Sequence, residues 1–184
     1  MNHEEKFDKY ENYLYSSNPP EFRRDAWYGS IFRWYGVDRN GCIAIFETGE
    51  LPIPKDVFSN EDNYRELDLF FRQLPQITTA QITEKVKILR KVNGDCIDYT
   101  DCLNESSRGL FFIEEKDTFI YQKKSFGFIE REDWYGYYLI TIPEVKLTIQ
   151  DLSERIRNLL EPYQFPIDFS EIEKIDITKY LICE

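Results

Sequence analysis

The chain has 184 residues, of which 42% are apolar and 16% aromatic, enough to bury one hydrophobic core, so we expect a single α+β domain over residues 1–184. A formal net charge of −11 argues against binding to nucleic-acid phosphates or anionic membranes and favours basic protein partners. The first residues lack the regions of a signal peptide and no apolar run is long enough to span a bilayer, so we expect a cytoplasmic protein.

A helix and a β-hairpin are predicted within the first fifty residues. Apolar residues recur at helical spacing over residues 3–15, and Pro19-Pro20 would end that helix. Two aromatic-rich apolar runs, Phe32–Val37 and Cys42–Phe46, flank the four-residue turn Asp38–Gly41. Because Asn and Gly tolerate positive φ, this arrangement is typical of a β-hairpin.

Helical patterns follow the hairpin. The prolines of residues 51–54 predict an extended loop. A second helix is expected from Ser59 to Pro75 and a third from Thr79 to Gly94, with a short helical turn within Asp98–Ser107. The apolar residues that would line the inner faces of the two longer helices are Tyr64, Leu67, Phe71 and Leu74, and then Ile82, Val86 and Leu89.

From Gly109 the pattern becomes sheet-like. It predicts four short strands joined by short turns, which favours an antiparallel meander: Leu110–Ile113, Phe119–Gln122, Phe126–Ile129 and Tyr137–Ile142. Thr148–Asp151 would open a fourth helix that ends at Pro162, and the alternation of Ile175 and Ile177 predicts an edge strand. Helices before and after the strands, without βαβ alternation, indicate the α+β class.

Groups that usually carry catalysis are sparse. The single histidine, His3, lies near a terminus, which argues against Ser-His-Asp, Cys-His and His-based zinc sites. No phosphate-binding or dinucleotide-binding glycine motif is present. We therefore assign no catalytic residue, no metal ligand and no cofactor, and we expect a protein that is not an enzyme.

Carboxylates are the one abundant reactive group. Asp95, Asp98 and Asp101 recur every three residues and could share a helix face near a hard cation. Their spacing lacks the glycine and the terminal glutamate of an EF-hand loop, so a solvated acidic turn is the preferred interpretation. The alternative function, a carboxylate-dependent hydrolase assisted by a divalent cation, would require acids with raised pKa values that converge in a cleft.

Cysteines and a basic cluster have structural interpretations. Cys42, among apolar strand residues, is expected to be a buried thiol, and the five-residue gap between Cys96 and Cys102 matches no common zinc or redox motif. The basic residues near the end of the third predicted helix would complement its dipole, with a docking spot for an acidic group as the alternative: Lys85, Lys87, Arg90 and Lys91.

The candidate protein-binding residues are Glu130, Glu132, Asp133, Trp134 and Tyr135. Aromatic side chains ringed by polar residues are characteristic of protein interfaces, and a Trp-Tyr pair after so polar a run is expected at or beside a loop. The alternative is that Trp134 folds back over an open edge of the sheet.

The run from Trp34 to Glu50 resembles a segment of a group of small, uncharacterised bacterial proteins. In that segment a tryptophan precedes the pattern G-V-D-x-x-G-x-I-A-x-F-x-T/S-G, matched here by Gly36 to Gly49. The resemblance extends more loosely over residues 27–160. It implies no activity and no site residue, because none is established for the group. A looser likeness, in size and acidity, is to the immunity proteins of bacterial toxin systems.

Three functions follow as hypotheses. The first is a non-enzymatic protein whose acidic face binds a protein partner, such as a basic bacterial toxin. The second is the carboxylate-dependent hydrolase, and the third is an oligomer closed through sheet edges.

Overall fold

The computed structural model describes residues 32–48, 53–87, 98–123 and 129–181, and within these the side chains outside residues 58, 59, 61 and 116–135. The predicted helix over residues 3–15 lies outside the described residues. In chain order the elements are β1 (Phe32–Val37), β2 (Ile43–Thr48), α1 (Lys55–Ser59), α2 (Glu61–Gln73), β3 (Ala80–Ile82), α3 (Thr100–Ser106), β4 (Phe111–Lys123), β5 (Ile129–Pro143), a 3-10 turn (Ile149–Asp151), α4 (Glu154–Leu160), two further 3-10 turns (Glu161–Tyr163 and Phe169–Glu171), β6 (Lys174–Ile175) and a last 3-10 turn (Ile177–Lys179).

One mixed sheet organises these elements. Its strand order is β1-β2-β4-β5-β3, and β6 also pairs with β5. All pairs are antiparallel except β2 with β4, which is parallel. The α+β prediction is confirmed. The mainly antiparallel character of the sheet is confirmed as well. The four short strands expected after Gly109 are two long ones instead, because residues 111–123 form β4 and residues 129–143 form β5, and these two pair antiparallel. The chain reaches β4 from β2 through a long crossover that contains α1, α2, β3 and α3, so that the β2–β4 pair is parallel.

The predicted hairpin is confirmed. β1 and β2 pair from Phe32 with Thr48 to Val37 with Ile43. Gly41 alone in the turn adopts positive φ, at 81°. Cys42 lies just outside β2, where it bridges Thr148, and it is buried as expected. Burial, with the nearby Asp38 carboxylate, raises the pKa of its thiol to about 11.

Two of the predicted helices agree with the structure. α2 places Leu67 and Phe71 in the core, but its cap is Asn60 rather than Ser59, with the Asn60 side chain accepting from the Asn63 amide. α3 lies within the predicted Asp98–Ser107 segment. The short helix α1, directly after Pro54, was not predicted.

The start of the third predicted helix is wrong. Residues 80–82 form β3, which pairs with the end of β5, and the described helical residues begin at residue 84 and continue to residue 87, where this described range ends. Residues 88–97 lie outside the described part, including Arg90, Lys91, Asp95 and Cys96. Lys85 pairs with Glu173 at 2.9 Å and Lys87 with Glu84 at 2.6 Å, so both described lysines have acidic partners.

The C-terminal predictions are confirmed in part. The Thr148–Asp151 capping box is present, but it opens a 3-10 turn, and α4 begins separately with Ser153 as its cap. The prediction of one continuous helix from Thr148 to Pro162 is therefore wrong, because the backbone is extended at Leu152 and Ser153. The edge strand is confirmed at Ile175 in β6, whereas Ile177 lies in a 3-10 turn.

The core has an aromatic layer on each face of the sheet. Trp34 stacks on Phe46 at 4.1 Å between ring centroids and lies beside Phe165 of the C-terminal segment. The next residue along β1, Tyr35, points to the other face, where it stacks on Phe71 of α2 at 4.4 Å. The Tyr35 hydroxyl also donates to Asp68 of α2 at 3.0 Å. α2 therefore covers one face and the C-terminal segment covers the other.

Candidate functional site

A two-stranded ribbon projects from the sheet. β4 and β5 pair continuously from Lys116 with Gly136 to Lys123 with Ile129. The parallel contact of β2 with β4 ends at Glu114, and β6 meets β5 only at Tyr137 and Tyr138. Within the described ranges, residues 116–123 and 129–136 therefore pair only with each other. Eight residue pairs at about 3.4 Å per residue make this ribbon roughly 25 Å long.

The five candidate binding residues all lie in the β5 half of this ribbon. The expectation that they sit at or beside a loop is wrong for the backbone, because residues 129–143 form one continuous strand. The register sets Trp134 opposite Thr118 and Glu132 opposite Ile120. Alternation along a strand assigns positions 130, 132 and 134 to one face and 133 and 135 to the other. The five residues are thus brought together along one strand but divided between its two faces.

The alternative in which Trp134 folds back over a sheet edge concerns a side chain outside the described part. Charged residues at 114–118 favour a turn in the sequence, so the full length of β4 was not predicted. A signal was present, because residues 110–124 contain no Gly, Pro, Asn or Ser, and Asp117 is the one common turn residue among them. The β4 half of the ribbon, Lys116–Lys123, was accordingly not among the candidate residues.

Gly136 and Lys174 fix one side of the ribbon base. Gly136 has φ of 139°, which favours glycine, and a Cβ there would meet the Lys174 side chain at 2.3 Å. The Lys174 Nζ lies 5.4 Å from the centroid of the Tyr138 ring, within cation–π range. The lysine from β6 therefore lies across the glycine and ties β5 to the C-terminal segment where the ribbon leaves the sheet.

A half-buried ion-pair network lies on the other side of the base. Arg33 of β1 contacts Glu47 of β2 at 2.5 Å and Glu105 of α3 at 3.2 Å, and Glu105 also contacts Arg108 at 3.2 Å. Burial lowers the pKa of Arg33, but the two carboxylates outweigh it and the net shift is upward. The network joins α3 to the first two strands, beside the point where Glu47 and Glu114 are register partners.

A cleft of about 420 Å³ lies at the opposite end of the hairpin, lined by the Asp38–Gly41 turn, Ile149 and Phe165 among others. Its acid, Asp38, is 4% exposed. The Asp38 carboxylate accepts from the amides of Asn40 at 2.9 Å, Cys42 at 2.8 Å and Phe169 at 3.1 Å. These bonds occupy both of its oxygens, so this carboxylate anchors the turn to the C-terminal segment.

Hydrogen bonding lowers the pKa of four carboxyls that do not line this cleft. Arg155 lowers the pKa of Glu66, and Thr148, Ser170 and Thr178 lower those of Asp151, Asp168 and Asp176 respectively. A general acid needs the opposite shift, so none of these four fits that role in the hydrolase alternative. Asp98 accepts from the Thr100 amide at 2.9 Å, and Asp101 is exposed in the first turn of α3. No group of three or more His, Cys, Asp or Glu residues placed to hold a metal occurs among the described residues.

No helix in the described ranges has the length and apolar character needed to cross a bilayer. The family resemblance and the likeness to immunity proteins stay predictions, because no protein-family model, curated protein or solved structure matches this chain.

Proposed function

We propose that this protein is a non-enzymatic binding protein that holds a basic protein partner, of the kind a bacterial immunity protein blocks, on the β5 side of its ribbon. The observation that carries the proposal is the ribbon itself, with five acidic or aromatic residues along one strand. A two-stranded ribbon on its own is only marginally stable in water. A partner that pairs with its edge or packs on its face would therefore stabilise the ribbon, and this stabilisation favours binding.

Charge and aromatic content suit this role. The net charge of −11 would attract a basic partner from a distance and raise its association rate, most strongly at low salt. Trp and Tyr are the residues that most often supply binding energy once contact is made. Strand alternation gives the partner two choices of face: Trp134 with Glu130 and Glu132, or Tyr135 with Asp133.

Photo-crosslinking in cells of the native host tests the location. A photoreactive amino acid at position 134 or 135 is expected to capture a basic protein. The control position is Val145, which is 58% exposed and lies away from the ribbon strands in the described fold. The same products from position 145 as from both ribbon positions would overturn the proposal. The position that crosslinks, 134 or 135, identifies the face.

Association kinetics with the captured protein test the mechanism. Changing Glu130→Gln, Glu132→Gln and Asp133→Asn together is expected to slow association about tenfold at low ionic strength. The control is Glu144→Gln, Glu154→Gln and Glu161→Gln, which removes the same charge from exposed positions off the ribbon. If both triple variants slow association equally, the net charge of the protein and not the ribbon residues sets the association rate. If neither variant slows association, electrostatic steering plays no role in binding.

A further inference from the structure

The outer edge of β4 forms a second open surface, on the side of the ribbon away from β5. Among the described residues, β2 accompanies β4 only as far as Glu114, and residues 117–123 have no strand on that side. We propose that two copies of this chain pair through residues 117–123, antiparallel, about a two-fold axis at Ile120. This inference does not rest on the proposed function, which uses side chains of β5 and not the outer edge of β4.

The sequence of this segment is complementary to itself. An antiparallel pairing centred on Ile120 places these residues opposite each other: Asp117 with Lys123, Thr118 with Gln122, Phe119 with Tyr121, and Ile120 with its own copy. Opposite charges, aromatic pairs and β-branched residues are the cross-strand neighbours that stabilise antiparallel sheets. Because the axis duplicates each contact, the dimer contains two Asp117–Lys123 pairs.

The other edge of the ribbon is less suited to self-pairing. The same operation on β5, centred on Glu132, sets two Glu132 carboxylates against each other, and like charges directly opposite are destabilising. On β4 the complementary block ends at Lys123, since the next pair outward would oppose Lys116 and Lys124. Pairing of the block would turn two marginal ribbons into one four-stranded sheet and cover an edge that would otherwise attract other strands.

One seven-residue strand per copy makes a small interface. We therefore expect a reversible dimer with a dissociation constant on the order of 10 μM. Sedimentation velocity on the purified chain, from about 1 to 300 μM, should show the transition from monomer to dimer. A chain that stays monomeric over the whole range overturns the proposal.

Charge reversal tests the register. Asp117→Lys and Lys123→Asp each convert two attractive pairs into two repulsive pairs, and each should weaken the dimer about tenfold or more. Within the chain these positions face Tyr135 and Ile129, which are uncharged, so the β4–β5 pairing is not opposed electrostatically. The double variant recreates both pairs and should restore the dissociation constant to within about threefold. Single variants that dimerise like the native chain, or a double variant that is not restored, would contradict the register.

Ile120→Lys provides an independent test at the axis. The new side chain lies opposite Glu132 within the chain, a favourable pair, but opposite its own copy across the axis. We expect this variant to remain monomeric at concentrations where the native chain is dimeric, with an unchanged circular dichroism spectrum. A dimer of native strength would exclude Ile120 from the axis, whatever the charge-reversal variants show.

Discussion

Asp38 links two distant segments of the chain through a single buried carboxylate. Two of its bonds close the hairpin turn and the third holds the amide of Phe169, an aromatic residue of the core. Asp38→Ala would leave three amides without this acceptor. Because a hydrogen bond to a charged group contributes about 1.5–3 kcal/mol, we expect a loss of about 3 kcal/mol or more in the free energy of unfolding. Urea denaturation followed by circular dichroism measures it.

Glu171→Ala is the matched control for Asp38→Ala. Glu171 is an exposed carboxylate that pairs with Arg39 of the same turn at 3.1 Å. An exposed ion pair of this kind contributes less than about 1 kcal/mol, so the control should unfold almost as the native chain does. A loss from Asp38→Ala no larger than that of the control would show that the three amides find other acceptors.

The sequence predicted the turn but not this role for its aspartate. Two apolar runs around four turn residues were enough to identify the hairpin and to place a glycine with positive φ at its end. The third donor to Asp38 lies 131 residues further along the chain. No local pattern connects Asp38 to Phe169, because that contact exists only after the C-terminal segment has packed onto the sheet.

At the scale of elements, the junction of β5 with β6 depends on a glycine. Gly136→Ala would impose a strained φ and drive the new methyl group into Lys174. We expect it to lower the free energy of unfolding by about 2 kcal/mol. Lys174→Ala alone should cost less than about 1 kcal/mol, because that side chain is exposed.

The double variant separates the two causes. Combining Gly136→Ala with Lys174→Ala removes the collision but keeps the backbone strain, so part of the lost stability should return. A positive coupling in this double-mutant cycle supports the contact across the ribbon base. Strict additivity would assign the whole cost to the backbone of β5.

Element lengths were the least predictable feature. Four short strands were expected, but β4 covers two of them and β5 covers the described parts of the other two. A strand with one buried face alternates apolar and polar residues. The charged runs at 114–118 and 130–133 lack this alternation and therefore suggested turns. A ribbon with two solvated faces need not show that alternation. Similarly, Ala80–Ile82 became a strand through pairing with β5, about sixty residues away.

For the molecule as a whole, the α+β fold class could be predicted from the sequence, but the order and direction of the strands in the sheet could not. Helical and strand periods occur in separate blocks, which indicated an α+β fold. The parallel contact of β2 with β4 has no counterpart in the local sequence, because it depends on where the crossover returns the chain. The candidate residues were chosen from a local sequence pattern, an aromatic pair that follows a highly polar run. Their common feature, a place on a strand that leaves the sheet, became apparent only from the register of β4 with β5.

The ribbon should be separable from the fold. The described core consists of side chains from β1, β2, the first residues of β4, the last part of β5, the helices and the C-terminal segment. Deleting residues 118–134 and joining Asp117 to Tyr135 through Asn-Gly retains a register pair closed by a two-residue turn of the type that hairpins favour. We expect a protein that unfolds cooperatively in urea, with a free energy of unfolding within about 2 kcal/mol of the native chain.

The deletion also separates binding from folding, because it removes most of both ribbon edges. A folded deletion variant should be monomeric at 300 μM and should lose its association with any protein captured at positions 134 or 135. Loss of cooperative unfolding would instead mean that ribbon side chains belong to the core, and the ribbon would then be a structural element and not an arm for partners. A folded variant that still binds would place the interface on the body of the sheet. The ion-pair network around Arg33 or the cleft beside Asp38 would then be the next surface to mutate.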